Sequence, residues 1–325
     1  MNFKLTNFRN AILLALLTSF TLSPFLSHAQ KMNKKEMMMH KMAQLQKNAP
    51  AKGYLKAHNF LQNPKDLLGG AITIEVSQDK SPVYVALPDF RKLDSRVFGN
   101  VKNPMKFNGT PGITGVPKFA RANDGKNFTK MKMLSPFGDK HIVLKDGILK
   151  INALDKTATD AARTDDKVNL VASWKDKMGN TYMVKVNKVL PHGLEYPTFG
   201  GVVTNYILHG FTGIGTPLMP SEYTYFAFWG VGNIYKNGKI VDKMRLVHGM
   251  LTEYVRTTGY KLAFDSQVSP TALQFHLMVA PFKPNKATMS FDKSPVHTGF
   301  KLPNGKELPF WHVMFENVTV KSQRK

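Results

Sequence analysis

The chain has no cysteine among its 325 residues. That absence excludes a disulfide framework, a thiolate metal site, a cysteine nucleophile and a covalently attached c-type haem. Long apolar runs are also missing. After residue 29 nothing approaches the ~18 consecutive apolar residues of a membrane-spanning helix, so no transmembrane span is expected in the mature chain. Acidic side chains are scarce, 22 Asp+Glu against 45 Lys+Arg, which leaves a net charge of +23. Helical periodicity nearly vanishes beyond residue 60. There is no Gly-x-Ser-x-Gly elbow and no His-Glu-x-x-His helix. The glycine-rich segment 209–217 lacks a P-loop lysine, and Pro217 and Pro220 stop the helix that a dinucleotide site needs, so it reads as a tight turn region.

What is present begins with an address. Lys4 and Arg9 precede an apolar stretch over 11–22, and Ser27, His28 and Ala29 supply small residues before Gln30. This is the pattern of a signal peptide over 1–29, cleaved between Ala29 and Gln30, and it predicts a periplasmic or secreted protein. A basic surface attracts anionic partners, here anionic envelope surfaces above all; export makes nucleic acid the least expected of them. The 42% hydrophobic content is ample for a packed core.

Residues 30–57 read as a basic, Met-rich helical segment. Met38, Met42 and Leu45 share a face, Pro50 ends it, and the run Met37-Met38-Met39-His40 is soft in ligand terms. Residues 58–195 read as an N-terminal β-rich region. It is interrupted by a long irregular loop over 100–140, where the stretch 102–132 carries seven basic residues, one acid (Asp124) and the interleaved Phe107, Phe119 and Phe128. That basic segment is expected to be exposed and mobile. Asp146-Gly147 predicts a two-residue hairpin between strands over 141–145 and 148–152. Residues 196–325 read as a C-terminal antiparallel β region, with a second such turn at Asn237-Gly238. The fold class expected is mainly β: an antiparallel β-barrel or β-sandwich, compatible with a calycin-like barrel, with a short N-terminal helix.

The candidate chemistry lies in a repeated tripeptide. His248-Gly-Met250, His276-Leu-Met278 and His312-Val-Met314 fall on late strands, and His40-Lys-Met42 on the N-terminal segment. Ten histidines and seventeen methionines scattered over 325 positions would give about 0.5 such tripeptides. Residues two apart on a strand share a face ~7 Å apart, so imidazole and thioether can converge on one ion. Thioether favours Cu(I) and imidazole serves either oxidation state, so copper is the metal expected. In the tripeptide alone, these strands resemble those of some exported copper chaperones. His/Met is also an axial pair for haem. His312, Met314 and Glu316 alternate onto one face, and two histidines with Glu316 would make the carboxylate set of a non-haem iron enzyme. The remaining alternative is a calycin-like barrel that binds a small apolar ligand.

A two-residue loop at Asn237-Gly238 would set facing residues so that His248 meets Ala227, Met250 meets Tyr225 and Leu246 meets Trp229. Tyr225 and Trp229 would then wall a site around His248. Closure of a barrel would bring His248, His276 and His312 into its single interior, with Met250, Met278 and Met314 around them.

Overall fold

A computed structural model describes residues 71–107, 116–156, 165–191, 200–288 and 290–324. The signal segment, the Met-rich helix and the His40/Met42 tripeptide lie outside them. The strands are β1 (Ile72–Ala86), β2 (Arg121–Asn123), β3 (Phe128–Met131), β4 (His141–Asp155), β5 (Lys167–Lys175), β6 (Thr181–Val189) and β7 (Val202–Leu208). They continue as β8 (Glu222–Lys236), β9 (Lys239–Tyr254), β10 (Ser269–Val279), β11 (Phe282–Asn285), β12 (Ser290–Lys293), β13 (Trp311–Phe315) and β14 (Thr319–Arg324).

The protein is mainly antiparallel β, as its patterning predicts. One large sheet runs β13-β10-β9-β8-β6-β5-β4-β1, and β1 pairs with β13 again through Val83↔Phe315, Tyr84↔Met314 and Val85↔Val313, so the sheet returns on itself in a ring-like arrangement. β14 pairs with the first half of β1, and β7 pairs with β8. The regions on either side of residue 195 therefore share one sheet.

One expected turn is absent. Residues 141–155 form one long strand, and Asp146-Gly147 is a bulge within it, not a hairpin. Asp146 does take φ +54°, as the sequence suggests, but a Cβ on Gly147 would strike Val83 and Ser81 of β1. The glycine is there for close strand approach, and the extra residue bends the strand. β1 likewise runs through Pro82 as one strand, with register shifts on either side of Ser81. Asn237-Gly238, with φ +49° and +79°, is the turn expected between β8 and β9.

Alternation along the strands divides the core in two. One cluster draws residues from every strand of the ring: Val85, Leu149, Trp174, Val184, Phe228, Leu277 and Val313, among others. Trp174, Tyr182, Phe300 and Trp311 meet there with ring centroids 5.0–6.4 Å apart. The second cluster lies on the other face of β8–β10, beneath residues 93–107, 116–137, 208–219, 255–262, 280–282 and Phe310. The segment expected to be a mobile loop contributes to it. Its described part holds the β2–β3 hairpin, and Phe128 is buried there. The buried Arg121 guanidinium anchors it by donating to the carbonyls of Val116, Phe98 and Met105. Phe119 is 75% exposed.

Candidate site: a buried histidine and methionine face

The three strand tripeptides are brought together, but not in the interior of the ring. Register places Ala227, Met250, His276, Met314 and Tyr84 in one cross-strand row. Trp229, His248, Met278 and His312 form the next row. Histidine and methionine thus alternate along the strands and across them, a checkerboard on one face. The interior positions are the residues between, Phe275, Leu277 and Val313, because the apolar residues beside each His/Met pair are the larger hydrophobes and take the all-strand core. The His/Met face belongs to the outer cluster, where the loops cover it.

The wall differs from the expectation too. Irregularities at Gly232/Ile234 and Ile234/Tyr235 move the β8–β9 register by two residues, so Trp229 faces His248, Ala227 faces Met250 and Val231 faces Leu246. A two-residue shift preserves the face. Trp229 therefore stacks on the His248 imidazole, 4.3 Å between centroids at 15°. Tyr225 does not reach Met250. Beyond a further irregularity at Thr224/Phe226 it joins the interior cluster, edge-on to Tyr223.

A fourth histidine enters from outside the tripeptides. His209 follows β7 and is held at φ +65°, ψ −168° before Gly210. Its Nε2 lies 3.4 Å from Met250 Sδ and 3.9 Å from Glu222 Oε1. Gly210 also has positive φ, and a Cβ there would strike Ser221, so the turn that aims His209 inward depends on this glycine. The glycine-rich segment was legible as a turn; the strained backbone that makes His209 part of the site was not.

The imidazoles are all buried, and burial holds their pKa values far below the usual range: His209 to about 3, His248 to about 4, His312 to about 3, and His276 well down. Mutual repulsion and the nearby Arg256 guanidinium add to the shifts of His276 and His312. All four are neutral at pH 7. His248 Nδ1 sits 2.8 Å from the Phe228 carbonyl, which fixes the proton on Nδ1 and leaves the lone pair on Nε2. His276 Nδ1 and His312 Nε2 are 2.8 Å apart, so two neutral rings share one N–H. In the tautomer where His276 Nδ1 donates to His312 Nε2, the His276 lone pair lies on Nε2. Phe137 packs edge-on against His312 at 5.6 Å.

Two predicted residues are otherwise engaged. Met314 Sδ accepts from Arg256, 3.5 Å away, whose guanidinium also donates to Gly138 O at 2.6 Å. Glu316 follows β13, and its Oε1 accepts from Tyr260 at 2.7 Å and Gln274 at 2.5 Å. Burial raises its pKa. Among the described residues no three His, Asp or Glu side chains gather as a metal-holding group. Glu316 therefore sits in a hydrogen-bonded cluster with Tyr260 and Gln274.

No family model, no curated protein and no solved structure matches the chain. Among the described residues no helix is long and apolar enough to cross a membrane.

Proposed function

We propose that this is an exported copper-binding protein of the cell envelope that holds Cu(I) between Met250 and His209, with His276 and His248 on the same face beside them. The observation that carries the reading is His209 Nε2 at 3.4 Å from Met250 Sδ. A nitrogen and a sulfur each about 2.0–2.3 Å from one ion lie ~3–4 Å apart. His276 faces Met250 across the β9–β10 pair, and His248 lies two residues before it on the same face. A buried thioether beside neutral imidazole favours a soft monovalent cation over zinc or iron. Nδ1–H groups turned to a carbonyl or a second ring are the usual means of orienting histidine ligands. His312 then acts as a positioning residue behind His276, and Met278 lies between His248 and His312 in the second row. Export rests on the basic, apolar and small-residue pattern of the first thirty residues. The apolar-ligand alternative would require the ring interior, where Trp174, Tyr182, Phe300 and Trp311 are packed.

The test is anaerobic Cu(I) titration of tag-free protein against a chromophoric chelator, with X-ray absorption of the loaded sample. One tightly held Cu(I) with nitrogen and sulfur scatterers is expected. Met250→Leu should remove the sulfur signal and weaken binding more than tenfold, about 1.4 kcal/mol. A control chain with Met37, Met38, Met39 and Met42 changed to Leu and His40 to Gln should keep the site. Loss of copper in that control alone, a Soret band from co-purified haem, or no stoichiometric copper would each overturn the assignment.

A further inference from the structure

On the outer layer, three neighbouring backbone segments expose large apolar side chains side by side. Asp89 bridges Ser135 in antiparallel fashion, which sets Phe90 across from Leu134. Arg121 pairs with Met131, and Lys132 N donates to Ala120 O, which brings the short 3-10 turn Lys118–Ala120 that carries Phe119 alongside segment 131–133. Segment 130–134 is thus flanked by 89–92 on one side and 118–121 on the other. Phe90, Phe119, Met133 and Leu134 are 51%, 75%, 46% and 59% exposed, where a folded surface ordinarily shows such residues singly.

The same segments carry Lys92, Lys118, Lys130 and Lys132, all exposed. Lys130 Nζ lies 5.7 Å from the Phe90 ring centre, so charge and apolar surface are interleaved. The acids close in sequence do not offset them. Asp89 is buried and accepts from the backbone N–H groups of Asp139 and Lys140, Asp94 is paired with Arg96, and Asp124 sits at the tip of the β2–β3 hairpin. Residues 108–115 contain no acid.

We infer that this patch is a docking surface for an anionic lipid membrane, the aromatic and aliphatic side chains entering the headgroup boundary while the lysines meet lipid phosphates. Exposed rings and aliphatics framed by lysine match an interface that is apolar a few ångströms down and negative at its rim. The surrounding lysines would repel a second copy of this chain. A specific protein groove would be expected to present paired charges, and this patch presents one sign.

The experiment is flotation with vesicles of neutral phosphatidylcholine alone or with 30% phosphatidylglycerol (roughly the anionic content at which surface potential becomes strong). Wild type and variants are purified identically, so that the N-terminal residues contribute equally to each. Wild type should bind the anionic vesicles and scarcely the neutral ones. Phe119→Ser/Leu134→Ser and, separately, Lys130→Glu/Lys132→Glu should each weaken binding more than tenfold with unchanged thermal midpoints, since all four residues are exposed. Lys239→Glu/Lys243→Glu, on the Asn237-Gly238 hairpin, changes net charge equally and should cost less than threefold. Equal loss in that control would reduce the effect to overall charge and overturn the inference. So would vesicle binding indifferent to Phe119 and Leu134, or binding to a soluble polyanion such as heparin with none to vesicles.

Discussion

Acid should unfold this protein early, through histidines and not carboxylates. In the native chain His209, His248 and His312 are held at about 3, 4 and 3, against about 6.5 in an unfolded chain. As pH falls below 6.5 the unfolded state takes up protons that the native state refuses. Stability is therefore fully present above pH 6.5 and is lost toward pH 4, the sign required when the unfolded state binds more protons. Each histidine costs about 1.4 kcal/mol at pH 5.5, so the three together cost about 4 kcal/mol, a large part of the ~5–15 kcal/mol that holds a typical domain. His276 adds in the same direction. Glu316 and Asp265, raised by burial, oppose the loss, because their native forms keep protons that the unfolded chain releases. Urea midpoints followed by tryptophan fluorescence at constant ionic strength, between pH 7.5 and 5.5, measure the effect before ordinary carboxylates titrate. A midpoint unchanged across that range would refute the assignment of these imidazoles as buried and neutral.

Further outcomes follow from the same geometry. Copper affinity should be nearly flat from pH 7 to 5, since protons compete poorly for donors already held near 3–4; a tenfold loss per pH unit, read by chelator competition, would place the metal on exposed histidines. Gly249→Ala should destabilise the fold by about 1–3 kcal/mol in urea, because its Cβ meets Phe228 and Phe275, and shifting Phe228 also moves the carbonyl that orients His248. Met250→Leu should change stability by less than about 1.5 kcal/mol while Met250→Ala costs ~2–5 kcal/mol, both read as urea midpoints, since the site is fully buried and leucine nearly fills it. Arg256→Met should lower stability by about 1–3 kcal/mol, leaving the Gly138 carbonyl without its buried donor.

The sequence by itself determined the β class, the Asn237-Gly238 turn between β8 and β9, and the shared face of each His/Met pair. The class and the shared face depend on a two-residue period, which is local. Alternation also determined that Phe275, Leu277 and Val313 oppose His276, Met278 and His312. It could not say which face is the interior, because that depends on what covers the outside, here chain from 93–107, 116–137 and 208–219, far away in sequence. Register was legible only up to the bulges: Trp229 reached His248, and Tyr225 was carried to the other face by irregularities with no residue signature. Asp146-Gly147 shows the limit of turn chemistry, since the positive φ that a hairpin needs serves a bulge equally well when β1 offers a continuous partner. The His276–His312 hydrogen bond, the arrival of His209 beside Met250 and the capture of Glu316 by Tyr260 and Gln274 belong to tertiary structure alone. Each joins residues from separate elements whose distance is set by strand pairing and loop coverage, and no periodicity in a chain records which loop will close over which face.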